Sequence, residues 1–327
     1  MKTKNKTVLV TGGAGFIGFN LIKKLIKCGY MTICLDDLSC GLQEHAFDLE
    51  RLGNCKFICH DVVNYIDLPV DSIINLACPA SPPAYQRNPI KTMLTSVLGI
   101  RNLLELARAK GARLVQASTS EVYGDPLEHP QKESYFGNVN TMGPRACYDE
   151  GKRCAETLIY DYSRIHGVDA RIARIFNTYG PGMRVDDGRV VSNFIVQALR
   201  GEDVTIYGDG RHTRSMCFVD DLIDGLIRLM EFDDVGVAPI NLGNPREISV
   251  AEFAKLVVSM TGSSSRIVNL AGVVDDPHLR QPDITRARDV LRWQPQVTLE
   301  DGLGETISFF RAQLAGAAGT SGDGSQP

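Results

Sequence analysis

An α/β fold, a doubly wound parallel sheet with a smaller C-terminal α/β lobe, is predicted for this 327-residue chain from three observations. Short apolar runs alternate with longer amphipathic stretches through the first half, a glycine-rich turn directly follows the first run, and beyond Asn177 the pattern turns irregular before recovering in pieces. Strands are predicted at residues 7–10, 31–35, 56–59, 72–76, 113–117 and 169–174, and helices at 19–27 and 92–110 from apolar spacing of three and four. Past the irregular stretch come a strand at 204–207 and helices at 220–230 and 250–260, the last announced by Ser249 with Glu252 three residues on. A dinucleotide-type domain is expected over 1–177 with 215–243 returning to it, a substrate lobe over 178–214 and 244–314, and a disordered tail over 315–327, where the chain loses periodicity.

Composition narrows the function. Lys and Arg number 35 against 39 Asp and Glu, a net charge of -4 with both signs interspersed, so no basic face offers itself to nucleic acid. No run approaches the roughly 20 apolar residues that span a bilayer. The basic N-terminus is followed by only Val8, Leu9 and Val10 as an apolar run, too short for a signal segment, and a cytoplasmic protein is expected. The nine cysteines lack paired spacing or neighbouring histidines, so no metal is implied and most are expected to be small buried apolar residues.

The glycine-rich turn carries the first chemistry. Gly12, Gly15 and Gly18 stand between the first strand and a helix, where they let backbone amides approach a pyrophosphate at the positive end of the helix. This is the turn of a Rossmann-like sheet, whose ligands lie at the carboxyl ends of the strands. Asp36 ends the second strand at the distance expected of a carboxylate that accepts both hydroxyls of an adenosine ribose. It would repel a 2′-phosphate, and no basic residue follows in Leu38, Ser39, Cys40 and Gly41, so NAD is favoured over NADP. Asp61 and Val62 either bracket the adenine or serve as an ordinary helix cap.

Tyr148 and Lys152, four apart, project from one helix face. A nearby ammonium and a positive nicotinamide ring both favour phenolate, so Tyr148 is expected to be a usable base near neutrality. Thr119, at the end of a strand in the run Thr119–Ser120–Glu121, can hydrogen-bond the same substrate oxygen.

With these elements the sequence resembles the extended short-chain dehydrogenase/reductase family over nearly its whole length. Blocks at 76–82, 119–131, 144–153, 174–181, 186–194 and 282–284 resemble the UDP-glucuronate decarboxylases (UDP-xylose synthases) within it. The resemblance implies an NAD-dependent enzyme that oxidises a UDP-glucuronate at C4, loses carbon dioxide from the resulting 4-keto sugar and returns the hydrogen, giving UDP-xylose. It implies catalytic roles for Thr119, Glu121, Tyr148 and Lys152, and cofactor contacts from Gly12, Gly15, Phe16, Ile17, Gly18, Asp36, Asp61, Val62, Leu76, Ala77, Thr95, Tyr148 and Lys152. Substrate contacts fall to Pro79, Tyr85, Glu121, Asn177, Arg189, Val190, Tyr207, Arg214 and Arg280. Related dehydratases carry an Asp-Glu pair where this chain has Ser120 and Glu121, so the acid that expels a hydroxyl is missing, while simple epimerases usually lack the glutamate. Glu121 is left between sugar positioning and a proton relay at C5.

Two departures stand out: Gly182 occupies a position where these relatives have arginine, and Gln281 one where they have lysine. A basic contact is either moved to Arg184 or absent. A UDP-sugar or UDP-uronate 4-epimerase is the alternative enzyme, and a non-catalytic NAD sensor the remote one, although a sensor is expected to lack Tyr148 or Lys152. Relatives dimerise through the helix of the catalytic tyrosine, and Ala155, Leu158, Ile159 and Tyr162 form an apolar stripe for a homodimer or for packing on the sheet.

Overall fold

The computed structural model describes residues 6–272 and 279–320. Seven parallel strands form the central sheet: β1 (Thr7–Thr11), β2 (Met31–Asp36), β3 (Cys55–Cys59), β4 (Ser72–Asn75), β5 (Arg113–Thr119), β6 (Ala170–Ile175) and β7 (Ile240–Leu242). Their order is β7-β6-β5-β4-β1-β2-β3, so the chain reverses direction across the sheet between β1 and β4. That reversal opens a crevice at the strands' carboxyl ends, where the helices on the two faces diverge.

All the strands except the edge strand β3 are largely buried, with helices on both sides of the sheet, hence their near-continuous apolar runs. Helices Phe16–Lys27 and Val219–Glu231 cover one face, and Ile100–Lys110 with Ala146–His166 cover the other. The first face's core continues without a break into the C-terminal lobe, so that Val10 and Leu21 belong to the same buried cluster as Phe194, Phe253 and Phe310.

Several elements differ from the sequence reading. The first helix starts at Phe16 rather than 19, because its N-terminal turn is made by the glycine segment itself. The predicted helix at 92–110 is Pro89–Leu94, one wider π-type turn at Thr95–Gly99, then Ile100–Lys110. The wide turn lies against the helix Ala146–His166, where a Cβ on Gly151 would come within 2.9 Å of the Ser96 side chain. β7, only three residues long, was not legible as a strand; it exists because β6 offers it a parallel edge. The last helix runs Leu299–Thr320, so residues 315–320, read as the start of a disordered tail, are helical; 321–327 lie outside the described residues. The capping box of Ser249 and Glu252 is present and starts Val250–Thr261.

The cysteine expectation is corrected as well. All nine are free, but only Cys34 and Cys217 are buried, while Cys28, Cys40, Cys59 and Cys154 are exposed. The apolar stripe divides: Ala155 and Ile159 are fully buried under the sheet, and Leu158 and Tyr162 pack at the edge of that core. No helix among the described residues is long and apolar enough to cross a membrane.

Candidate active site

The crevice begins at the glycine turn. Gly12 has φ +68°, and a Cβ there would lie 2.8 Å from the Leu76 carbonyl; on Gly18 it would lie 2.3 Å from the Gly12 carbonyl. Both approaches are backbone on backbone, so only glycine fits. Helix Phe16–Lys27 starts without a side-chain cap and without an acidic residue in its first turn, leaving its N-terminal amides to an anion.

A groove extends from this turn, lined by Gly12, Gly15, Asp36, Asp61, Val62, Leu76, Ala77, Pro79 and Thr95 among others. Asp36 is buried at the end of β2 and accepts hydrogen bonds from the Ala14 and Leu38 amides at 3.1 and 2.9 Å. Its burial raises the carboxyl's pKa, and the two amides oppose that rise. Lys91 is a nearby cation whose charge is spent on Asp37 at 2.5 Å and Asp61 at 3.4 Å. The Thr95 hydroxyl is buried in the groove wall with no hydrogen-bond partner among the described residues, as expected of a group that meets a bound molecule. Glycine cradle, uncapped helix, ribose-type carboxylate and orphaned hydroxyl together fit a dinucleotide.

At the groove's inner end stand Thr119 and the helix Ala146–His166. A buried polar chain leads to them across the sheet: Thr11 donates to Asn75 at 2.6 Å, Asn75 to Gln116 at 2.7 Å, and Gln116 to the Ala117 carbonyl at 2.8 Å. Lys152 Nζ donates to that same carbonyl at 2.8 Å and lies 5.7 Å from the centre of the Tyr148 ring. The Thr119 hydroxyl accepts the Glu121 amide at 3.3 Å and lies near enough to the Tyr148 phenol to favour its ionised form. Thr119, Tyr148 and Lys152 therefore come together as the sequence implied.

Their electrostatics require a correction. Burial pushes the Tyr148 phenol up, helped by Cys78, Glu121 and Asp149, and outweighs the opposing effect of Thr119. Burial also lowers Lys152, whose ammonium is directed at a carbonyl. Burial above all thus favours the protonated phenol, and ionising it takes positive charge beyond what this lysine supplies.

Beside Tyr148 lies a charge cluster. Glu121, in the short turn Ser120–Tyr123, pairs with Arg145 and with Arg280, the latter at 3.2 Å. Arg280 also donates to the Ser120 carbonyl at 2.9 Å and is 2% exposed. Although burial opposes ionisation, Arg280, Arg145 and Arg214 hold the Glu121 carboxyl below the usual glutamate range. Of the two roles left open, positioning fits a carboxylate so firmly held, and a proton relay does not.

Arg280 owes its place to the lobe. The Gln131 amide donates to the Gln281 carbonyl at 2.8 Å and the Asp283 amide to the Gln131 carbonyl at 2.9 Å, which lashes this segment alongside the loop after Tyr123. Gln281 turns its side chain to the Pro245 carbonyl and has a structural role. Gly182, at φ +94°, sits where a side chain is disfavoured. Arg184 does not replace a site arginine: it pairs with Asp186 and reaches the Cys40 carbonyl at the outer rim of the groove.

Tyr85 stacks on Tyr148, ring centres 5.3 Å apart and 8° from parallel, with its hydroxyl buried and unpartnered among the described residues. Arg189 is held by Asp187 with its guanidinium 5.9 Å from the Phe16 ring, and Val190 opens the helix Val190–Arg200. Asn177 accepts the Cys217 amide through its carbonyl, and Tyr207 is exposed at the end of the lobe strand Val204–Tyr207.

Two members of the cluster were missed by the sequence reading. Arg145 binds Glu121, and Asp149 lies within 4.0 Å of Arg145. Both belong to the recognised 144–153 block, but a helix-start arginine and a first-turn aspartate carry no signal until Glu121 is brought beside them.

This fold and this site define a class, and the chain belongs to the NAD dependent epimerase/dehydratase family, whose model matches residues 8–243. Among its curated relatives it is 52% identical to UDP-glucuronic acid decarboxylase 1 of Arabidopsis thaliana, over 95% of this chain and 71% of that protein. It is 51% identical to UDP-glucuronic acid decarboxylase 1 of Xenopus tropicalis, over 94% of this chain and 73% of that one. A solved UDP-glucuronic acid 4-epimerase from Bacillus cereus, in complex with UDP-glucuronic acid and NAD, matches with a TM-score of 0.83 and 26% identity over 94% of this chain and 99% of that one.

Proposed function

We propose that this chain is an NAD-dependent UDP-glucuronate decarboxylase that forms UDP-xylose through a 4-keto sugar. The observation that carries the reading is Glu121, a half-buried carboxylate tied to Arg145 and Arg280 next to Tyr148, with Ser120 in place of the acid that a dehydration needs. The identity of about half over most of the chain to UDP-glucuronic acid decarboxylases supports it.

When bound, NAD supplies the acceptor for the hydrogen at C4 and later its source. The chain's part is to bind, orient and move protons. Thr119 and Tyr148 stand side by side, the position for a sugar hydroxyl, and Tyr148, ionised once the cofactor's positive charge is beside it, takes that hydroxyl's proton. A ketone at C4 lies β to the C6 carboxylate, so carbon dioxide leaves with the electron pair delocalised onto the ketone oxygen. Arg280, Arg145 and Arg214 supply positive charge around a doubly phosphorylated, carboxylated substrate, Glu121 keeps two of these guanidiniums in place, and Tyr85 meets the carboxylate end.

Incubation with UDP-glucuronate tests the reading: carbon dioxide and UDP-xylose are expected. A product that keeps its carboxylate and is inverted at C4 would make the chain an epimerase.

The assembly proposed is a homodimer and the compartment the cytoplasm. Leu94 and Leu98, 43% and 36% exposed beside the catalytic helix, give the apolar surface for pairing. Sedimentation should report twice the chain mass, and a monomer at micromolar concentration removes the dimer.

A further inference from the structure

Decarboxylation consumes a proton. The C5–C6 bond breaks, carbon dioxide leaves, and the carbon that carried it must gain hydrogen. Tyr148 cannot meet that need, because the proton it takes from O4 is returned to O4. Glu121 is held as a carboxylate between Arg145 and Arg280.

A third carboxyl stands in the same cluster. Asp149 follows Tyr148 in the helix Ala146–His166, its side chain is 9% exposed, and its Oδ1 is buried with no hydrogen-bond partner among the described residues. Its Oδ2 is 4.0 Å from Arg145 Nε, at the limit of an ion pair, since that guanidinium is engaged by Glu121. The groups facing it are Glu121 from the turn after β5, Arg280 from the lobe segment, Tyr85 from the helix Pro82–Arg87, and Arg145, Cys147, Tyr148 and Glu150 from its own helix and its start. The Tyr85 hydroxyl is the second unpartnered buried polar atom of this cluster. Two orphaned polar atoms beside one reacting tyrosine are what a polar ligand would satisfy.

We propose that Asp149, in its protonated form, supplies the proton that C5 gains after carbon dioxide has left. The idea rests on the decarboxylase reading. As the C5–C6 bond breaks, its electron pair passes into the C4–C5 enolate; the Asp149 O–H bond then breaks, a C5–H bond forms, and the carboxylate left behind is reprotonated by water. Burial and the Glu121 charge raise the Asp149 carboxyl to about 7 against the pull of Arg145 and Arg280. An acid in that range holds a proton at neutrality and can still release it.

The test follows carbon dioxide, UDP-4-keto-pentose and UDP-xylose in the wild type and in Asp149→Asn. The substitution preserves shape and the neutral state, and NAD binding checks the fold. UDP-xylose formation should fall about 100-fold while carbon dioxide release persists, because the enolate, left without its proton, escapes, takes a proton from water at C5 in solution and is recovered as keto-pentose. Unchanged products, or an equal fall in all of them, would overturn the proposal. A second arm needs no variant: in the wild type the keto-pentose fraction should rise between about pH 6 and pH 8.5, and a flat profile overturns the proposal. If the wild type releases no carbon dioxide at all, the decarboxylase reading itself has failed.

Discussion

The Tyr148 hydroxyl lies near Thr119, and its ring stacks on Tyr85 with the Lys152 ammonium 5.7 Å from its centre, so its oxygen can be deleted with little change in packing. Tyr148→Phe should lower turnover by a factor on the order of 10³ or more while NAD binding is kept. Retained activity in a rate assay would remove this residue from the chemistry. Glu121→Gln acts differently, since it strands Arg145 and the buried Arg280 without their counter-charge. Oxidation at C4 should outlast decarboxylation, because the misplaced arginines are those proposed to surround the carboxylated end of the sugar. Single-turnover measurement of both steps decides; equal losses would sink the idea.

At the scale of elements, the glycine turn and the catalytic helix each depend on close backbone approach. A Cβ on Gly18 would sit 2.3 Å from the Gly12 carbonyl and 2.6 Å from the Gly13 Cα, neither of which can swing aside as a side chain would. Gly18→Ala should therefore push helix Phe16–Lys27 away from the turn, costing about 1–3 kcal/mol of stability and at least roughly tenfold in NAD affinity. Thermal unfolding with and without NAD measures both; an unchanged NAD-induced shift would show that the turn tolerates the methyl group. The catalytic helix is similarly constrained, its Gly151 facing the π-type turn Thr95–Gly99.

The whole molecule's stability should carry the imprint of the buried carboxyls. Asp149 is raised to about 7 by burial, so the folded chain binds its proton more tightly than the unfolded chain does. Its contribution is fully present below the ordinary aspartate range near 4 and is lost as pH rises through about 7. Glu121 works in the opposite sense: its lowered carboxyl stabilises the fold above the ordinary glutamate range, and that stability goes as pH falls below it. Urea unfolding of wild type and Asp149→Asn from about pH 4.5 to pH 7.5 should show the difference moving in the variant's favour by roughly 1–3 kcal/mol. A gap that does not change with pH would contradict the buried, shared environment of this side chain.

Legibility followed sequence distance. Periodicity within a window exposed six of the seven sheet strands and the helix at 250–260, because strand and helix patterns are local. The glycines, Asp36 and the Tyr148–Lys152 pair were legible for the same reason: turn geometry and the one-face spacing of a helix act over a few residues. β7 was not, since a three-residue strand is made by the edge it joins, and neither was the final turn of the last helix.

What the sequence by itself determined is the sheet, the glycine turn and the placing of Tyr148 and Lys152 on one helix face, each set by backbone rules that operate over short stretches. Only the tertiary structure decided the charge state of the site. It brings Arg280 from the far lobe onto Glu121, adds Arg145 and Asp149, buries Arg280 and Asp149 and half-buries the other two, and away from bulk water the ionisation of each group depends on neighbours up to 159 positions away along the chain.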